Sequence, residues 1–299
     1  MTDRRRRPRA RRGRRAARTL VGLLVLVGVL AGAVALVVTA LERLEPEVPV
    51  VARCTATLDG TAWSLSADQA QHAALFAAVA QRRGLPARAV TIAIATALQE
   101  SRLENIDYGD RDSIGLFQQR PSQGWGTVEQ IMDPVYSVGK FYDGLVKVPG
   151  YEDMEVTDAA QAVQRSAFPK AYAQHEVRAR AWASGLTGHS PATIACTLPA
   201  GDGGDPDAVL TRVRRDLGDV PARAFGGGDE PAGVVVDARG LGDDAARSAW
   251  AVAAWAVATA DELGTRRVDV ADRSWTREGG TWTANDRGAR TAGTVRIDS

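Results

Sequence analysis

Glu100 is the residue whose surroundings in the sequence best suit acid–base chemistry. It is the first acidic residue of an apolar run from Pro86 to Leu103 that predicts a buried helix. The negative end of the helix dipole disfavours a carboxylate there by roughly 0.3–1 kcal/mol, less than one pKa unit, so burial has to supply most of any increase in pKa. A glutamic acid that stays protonated near pH 7 is able to donate a proton to a glycosidic oxygen. The alternative is an ordinary ion pair of Glu100 with Arg102 or Arg111.

Three aspartates follow Glu100 in a segment, residues 105–113, that is rich in Asp, Gly and Ser. Its composition predicts turns that lead into a short β-hairpin. Asp107, Asp110 and Asp112 are candidates for the second carboxylate with which an inverting glycosidase activates water. The alternative is turn chemistry, in which Asp side chains accept hydrogen bonds from nearby backbone N–H groups.

Two short motifs around Glu100 resemble those of a known family. Glu100-Ser101 is followed about fifteen residues later by Gly115-Leu116-Phe117-Gln118. This order resembles the soluble lytic transglycosylase and goose-type lysozyme family, in which Glu-Ser ends a buried helix and a Gly-Leu-Met-Gln-like motif follows. The family's third motif, Ala-Tyr-Asn-like, is approximated by Ala171-Tyr172-Ala173, where Ala replaces Asn. The resemblance covers roughly residues 66–186 and implies a mostly helical lysozyme-like domain with a small β-hairpin.

The resemblance implies a muramidase that cuts the β-1,4 bond between N-acetylmuramic acid and N-acetylglucosamine in peptidoglycan. Glu100 would be its general acid/base, with Ser101 in support. In lytic transglycosylases the N-acetyl group of the substrate assists and the product is an anhydro-sugar, whereas a lysozyme releases a reducing end, and both outcomes stay open. No metal or cofactor is implied. The residues expected to contact the glycan strand are Ser101, Tyr108, Phe117, Gln118 and Tyr172.

The charge of the chain is strongly asymmetric, although its formal net charge is only +1. Residues 1–18 contain ten Arg and one Asp, a charge of +9, so the remaining residues sum to −8. Because nothing basic continues into the folded part, the basic head does not predict nucleic-acid binding. Residues 1–18 are expected to form a cytoplasmic tail that is disordered from Arg4 onwards.

A run of 23 uncharged residues, 19–41, is long enough for a membrane-spanning helix, which needs about 20. Arginines precede this run and Glu42 and Glu45 follow it. We therefore expect a single-pass protein of the plasma membrane, with the N-terminus inside and the folded domains outside the cell. The alternative is a cleaved signal peptide with Ala31-Gly32-Ala33 or Ala33-Val34-Ala35 as its cleavage site.

Two cysteines bracket the part of the chain that resembles a lysozyme. In an exported protein, Cys54 and Cys196 are expected to form one disulfide, and two unpaired thiols are the alternative. Neither cysteine lies in a metal-binding pattern. Pro46 and Pro49 predict an extended stalk over residues 42–53, followed by the lysozyme-like domain at 54–198 and a polar, Gly-rich linker at 199–206. Helices within the domain are expected at 66–83, 86–103, 157–166 and 170–184, with another that begins after Thr127 and is interrupted by Pro134.

Residues 207–299 predict a small α/β module, which makes the whole chain α+β. Asp237, Asp269 and Asp272 are candidates for an acidic site, with strand-end and turn roles as the alternative. The module resembles no family and is a candidate surface for a protein partner in the cell envelope. Together with Ala173, it leaves a second function open, a catalytically inactive glycan-binding scaffold of an envelope assembly. Its expected elements are helices at 207–217 and 244–263, a flexible break at 226–228, and strands at 234–236, 267–271, 281–284 and 294–297.

Overall fold

The computed structural model of the chain describes residues 10–42, 50–166, 168, 170–227 and 230–299. The chain forms two compact units, Met1–Pro49 and Val50–Ser299. Within the described residues the fold is α+β, as predicted, with ten α-helices and two antiparallel sheets.

The first unit contains one long helix, α1 (Ala10–Glu42). Its stretch Arg18–Thr39 is long and apolar enough to cross a membrane, and a signal sequence near an N-terminus meets the same criteria. The expected disorder of the basic tail is wrong for residues 10–18, which continue the helix. Ala and Arg are among the strongest helix formers, so the apolar helix extends into them. Residues 1–9 of the tail and residues 43–49 of the stalk lie outside the described residues.

Five helices among the described residues of the second unit, α2, α4, α5, α8 and α9, begin at a side chain that caps them. Ser66 precedes α2 and accepts a hydrogen bond from the Gln69 N–H, while the Gln69 side chain accepts one from the Ser66 N–H. Thr127 and Gln130 form the same reciprocal capping box at α4. The helices of this unit are α2 (Ala67–Arg82), α3 (Ala87–Glu100), α4 (Val128–Met132), α5 (Pro134–Leu145), α6 (Val156–Gln164), α7 (Glu176–Leu186), α8 (Pro206–Leu217), α9 (Ala245–Ala258) and α10 (Ala260–Leu263).

Helix α3 runs through the core and ends on Glu100. Every residue from Ala89 to Leu98 is buried, including Thr91 and Thr96, whose hydroxyls donate to helix carbonyls. The helix is three residues shorter at its end than predicted, because Arg102 and Leu103 adopt positive φ angles of 59° and 66°. This turn leaves Glu100 in the last helical position rather than inside the helix.

The first sheet has the order β2-β1-β3, from β1 (Arg53–Leu58), β2 (Thr61–Ser66) and β3 (Ile194–Thr197). Asp59 and Gly60, both at positive φ, make the two-residue turn between β1 and β2. Cys54 lies opposite Cys196 on the neighbouring strands, and the two form a disulfide. The predicted disulfide is therefore confirmed.

The turns expected over residues 105–113 are present, but the short hairpin expected to follow them is not formed. Ile114 and Gln119 make a single antiparallel bridge, with two backbone hydrogen bonds of 3.0 Å, and the rest of the segment consists of turns. Gly115 and Gln118 have positive φ angles of 77° and 48°, which turn the chain too tightly for a second strand pair. The hairpin of this part of the chain is the β1–β2 pair.

The second sheet has six strands in the order β4-β5-β9-β6-β7-β8. The expected break at 226–228 is wrong for Gly226 and Gly227, which belong to β4. Gly227 pairs with Glu230 of β5, and Gly226 lies at an irregularity in the register; Gly228 lies outside the described residues. The helix expected over 244–263 divides at Thr259, whose hydroxyl donates to the Trp255 carbonyl at 2.9 Å. The strands are β4 (Ala222–Gly227), β5 (Glu230–Asp237), β6 (Arg267–Val270), β7 (Arg273–Thr276), β8 (Trp282–Ala284) and β9 (Thr294–Asp298).

The predicted lysozyme-like part and the predicted C-terminal module pack together inside the second unit. Helix α9 contacts α2, α7 and β3. The Trp282 indole N–H donates to the Ile194 carbonyl at 2.7 Å, and Arg212 donates to the Gln71 side chain at 3.1 Å. Arg277 donates to the Pro199 carbonyl at 2.6 Å, which ties the predicted 199–206 linker to the second sheet.

Candidate active site

Glu100 lies half-buried at the end of α3, beside the side chains of Tyr172 and Gln164. The Tyr172 hydroxyl donates a hydrogen bond of 2.6 Å to its Oε1 atom. The side chain of Gln164 lies close to the carboxyl group and also lowers its pKa. These partners come from two elements that pack on α3, the end of α6 and the 3-10 turn Ala171–His175.

Tyr172 lies in a segment, residues 170–184, that was predicted to be one helix but is divided into two elements. The first part is the 3-10 turn, and α7 begins only at Glu176. The Tyr172 side chain is 0% exposed, and burial, together with the neighbouring Glu100, raises the pKa of its hydroxyl. The hydroxyl therefore stays protonated and acts as a donor. A direct contact with the glycan, as expected from the sequence, is excluded by this burial, and Tyr172 positions Glu100 instead.

Gln164 was not among the residues predicted to form the site. It is the last residue of α6, and its Nε2 atom donates to the Phe117 carbonyl at 2.7 Å. A glutamine at the end of an amphipathic helix carries no signal of its own in a sequence. Only its closeness along the chain to Tyr172 pointed to this region.

The pKa of Glu100 is raised, chiefly because burial disfavours the charged carboxylate. The hydrogen bond from Tyr172 and the nearby side chain of Gln164 act in the opposite direction, but their effect is smaller. Among the described residues no arginine forms an ion pair with Glu100; Arg111 lies 3.9 Å from Asp110 instead. The site therefore contains a carboxyl group that keeps its proton to a higher pH than an ordinary glutamic acid and is oriented by Tyr172.

The side chains of Ser101 and Phe117 are buried in the core next to the site and do not line its surface. The Ser101 hydroxyl is buried and donates to the Leu116 carbonyl at 2.7 Å, which joins the end of α3 to the second motif. The Phe117 side chain is 0% exposed and stacks between Phe76 and Phe141, with ring centroids 5.1 and 4.4 Å away. The sequence predicted that these two side chains contact the glycan. This prediction is wrong, because both side chains are buried and neither presents surface to a ligand.

Gln118 and Tyr108 lie on the loop above these buried residues. The Gln118 side chain is partly exposed and donates to the Tyr108 carbonyl at 3.2 Å. The Tyr108 ring is 68% exposed. Gly109 allows this arrangement, because a Cβ atom there would lie 1.9 Å from the Gln118 amide oxygen. Both side chains are available to a glycan strand, and their predicted role stays a prediction.

The three loop aspartates differ in their surroundings. Asp112 accepts hydrogen bonds from the Arg120 guanidinium at 2.6 Å and from the Ser122 N–H at 2.9 Å. Its bonds to Ser122 and Arg120 hold its pKa well below the usual range, so Asp112 has the turn role that was the alternative. Asp107 and Asp110 are exposed.

The aspartates of the C-terminal part have separate partners. Asp237 accepts from the Arg239 guanidinium and caps a 3-10 turn, which is one of its predicted alternative roles. Asp269 is fully buried and accepts from Arg267 and Ser274, at 2.7 and 2.8 Å. Asp272 is exposed.

Comparison with known proteins adds no relative. The chain matches no model of a known protein family and no curated protein. Its function has to be inferred from these residues and their geometry.

Proposed function

We propose that this protein is a peptidoglycan-cleaving muramidase, a lytic transglycosylase or a lysozyme, in which Glu100 is the general acid/base. The observation that carries the proposal is the half-buried carboxyl of Glu100, whose pKa is raised by burial and whose Oε1 accepts a hydrogen bond from Tyr172. With one oxygen held in this way, the other would face the glycosidic oxygen in the proposed complex. This is the arrangement that protonation of a leaving group requires.

In the proposed reaction the Glu100 carboxyl gives its proton to the glycosidic oxygen as the bond from C1 of the muramyl residue breaks. The substrate's own N-acetyl oxygen stabilises the positive charge that develops at C1. The Glu100 carboxylate then accepts a proton. If the proton comes from the C6 hydroxyl of the same sugar, the product is an anhydro-sugar; if it comes from water, the product is a reducing end.

The location of the protein is part of the proposal. The apolar stretch Arg18–Thr39, the arginines before it and the disulfide Cys54–Cys196 support a single-pass anchor with the N-terminus inside and the folded unit outside the cell. Peptidoglycan strands would then be the partner of the folded unit, and the lipid bilayer the partner of residues 19–41.

The test is mass spectrometry of purified peptidoglycan after incubation with the full chain in detergent, beside the Glu100→Gln variant. Anhydro-muropeptides from the unmodified protein alone would establish a lytic transglycosylase. Reducing-end products would establish a hydrolase and direct attention to Asp107 and Asp110 as candidate bases. Equal products from both proteins would remove Glu100 from its proposed role.

A second candidate function is a catalytically inactive glycan-binding scaffold. It is favoured by Ala173, which stands where the resembling family has Asn and is exposed beside the buried Tyr172. A scaffold would give no products with either protein, while both would bind peptidoglycan equally. The C-terminal part would then be the surface for an envelope protein partner.

A further inference from the structure

A groove of about 650 Å³ opens beside Gln164, between the ends of α5 and α6 and the loop at 121–126. We call it the basic groove. Its floor is open because Gly144 has no side chain, and a Cβ atom there would lie 3.0 Å from Val163. The residues that define the basic groove are Gln123, Trp125, Lys147, Val148, Gln164 and Arg165.

Gln164 connects the basic groove to Glu100. Its side chain lies close enough to the Glu100 carboxyl to lower its pKa, it donates to the Phe117 carbonyl at 2.7 Å, and the same residue lines the groove. A glycan strand whose glycosidic oxygen reached Glu100 would therefore have substituents within reach of the groove. The groove adjoins the reacting bond but does not contain it.

The groove carries positive charge that the rest of the described chain does not neutralise. Lys147 and Arg165 are both exposed, and among the described residues neither forms an ion pair. Two arginines nearby in the fold are paired, Arg83 with Asp143 and Arg120 with Asp112, each at 2.6 Å. None of the residues that line the groove is acidic.

Two observations indicate that the groove is built rather than incidental. The Tyr136 hydroxyl donates to the Trp125 carbonyl at 3.2 Å, which fixes the loop that carries the half-buried Trp125 ring. Arg165 has a φ angle of 53° in the left-handed region, where a residue other than glycine is uncommon. This conformation ends α6 directly after Gln164 and sets Arg165 on the rim.

We propose that the basic groove binds the carboxylate-bearing branch of a muramyl residue in the strand that Glu100 cleaves. The proposal rests on the proposed function, because it identifies which part of that substrate lies beside the scissile bond. Lys147 and Arg165 bind the carboxylates, and Trp125 covers the apolar part of the branch. The carboxylate comes from either of two sources, the peptide stem or the bare lactyl group of a strand without stems.

The experiment measures affinity in the Glu100→Gln background, so that cleavage does not interfere. The full chain in detergent is titrated with three soluble glycans: strands with peptide stems, strands without stems, and neutral chitin oligosaccharides. The test variant is Lys147→Gln with Arg165→Asn, because Asn tolerates the left-handed conformation better than Gln does. The matched control is Arg180→Gln with Arg214→Gln, which removes the same charge from exposed positions of α7 and α8.

We expect the test variant to bind stem-bearing strands about tenfold more weakly, with a smaller dependence on salt, and the control to be unchanged. Chitin affinity should be equal in all proteins. A loss that is as large with stem-free strands identifies the lactyl carboxylate as the ligand, and a loss confined to stem-bearing strands identifies the peptide.

Unchanged affinity of the test variant for both anionic glycans would overturn the proposal, as would an equal loss for chitin. Failure of the proposed function is recognised separately, by the absence of products from the unmodified protein in the digestion experiment. Binding to the basic groove is measured without cleavage, so the two outcomes do not depend on each other.

Discussion

At Glu100, one effect raises the pKa of the carboxyl and two oppose it. Burial disfavours the anion, while the hydrogen bond from Tyr172 and the nearby side chain of Gln164 stabilise it. A group poised in this way is able both to give and to take back a proton, whereas full burial without donors would leave it a permanent acid. The donors therefore matter to the chemistry as much as the burial does.

Replacing Glu100 by Gln should stabilise the fold in a way that depends on pH. The unfolded chain releases the Glu100 proton near its ordinary pKa of 4.5, and the folded chain releases it only at a higher pH. Between these values the unfolded state binds fewer protons, so the stability of the natural protein falls as pH rises and then stays lower. The difference in the free energy of unfolding, in favour of the Gln variant, should grow over the same range of pH. Urea denaturation of both proteins at pH 4, 5.5 and 7 measures it, and parallel stabilities would contradict it.

Replacing Tyr172 by Phe should shift the pH profile of activity. The Tyr172 hydrogen bond lowers the pKa of Glu100, so its loss raises that pKa and moves the alkaline limb of the profile to higher pH. The rate at the optimum should fall on the order of tenfold to a hundredfold, because the carboxyl loses its fixed orientation.

The control for this prediction is Tyr142→Phe. The Tyr142 hydroxyl is also buried and donates to the Phe76 carbonyl at 3.0 Å, but it does not bond to Glu100. This variant should lose stability and keep the pH profile. An alkaline limb that moves equally in both variants would show that loss of a buried hydroxyl, and not the contact with Glu100, is responsible.

Among the elements, the sequence specified the helices better than the strands. Ser66 and Thr127, which form capping boxes, predict the starts of α2 and α4, and the apolar run before Glu100 predicts α3. The strands β1 and β2 were missed, although Asp59-Gly60 between them is a typical two-residue hairpin turn. Strand β3 has only four residues, and its partner lies far away along the chain, so no local pattern predicts it.

At the site, the sequence indicated Glu100 and its two motifs, but it did not separate side chains that face the cleft from side chains beneath it. Phe117 and Gln118 are neighbours, and one is fully buried while the other is partly exposed. The positive φ of Gln118 decides this difference, and a sequence does not reveal it. Gln164 was missed for a similar reason, because the end of α6 meets α3 only in the folded chain.

Variants of Phe117 test whether its side chain belongs to the core. Its ring stacks between Phe76 and Phe141, so Phe117→Ala should cost about 3–5 kcal/mol of the free energy of unfolding. Phe117→Met keeps the volume and should cost less than about 1.5 kcal/mol. Urea denaturation measures both. A Met variant that keeps its stability but loses glycan affinity in the Glu100→Gln background would mean that the ring does contact the ligand.

On the scale of the whole molecule, the C-terminal residues take part in the same compact unit as the candidate active site. Helix α9 packs on α2 and α7, and a buried charged group on α8 is hydrogen-bonded to α9. Arg212 donates to Asp216 at 2.7 Å, and Asp216 also accepts from the Trp255 indole at 2.9 Å. Removing this part would expose apolar surface of α2 and α7 and leave several polar groups unpaired.

A chain that ends at Ala200 should therefore lose cooperative unfolding. The apolar contacts of α9 and the hydrogen bond from Trp282 to Ile194 are lost together, and a typical total stability is only about 5–15 kcal/mol. Circular dichroism during heating measures the transition. A sharp transition in the shortened chain, with its disulfide formed, would show that residues 50–200 fold without the second sheet.

The central position of β1 in the first sheet has a consequence for the order of events during folding. One edge of β1 pairs at once with β2 through a two-residue turn, but the other edge pairs with β3, and Cys54 and Cys196 are 142 residues apart. Pairing over such a distance is slow, because a long loop has to close before the contact can form. During synthesis that edge of β1 stays open until residues 194–197 have emerged. The backbone N–H and C=O groups at that edge of the hairpin would thus lack their partners until nearly half of the chain has been made.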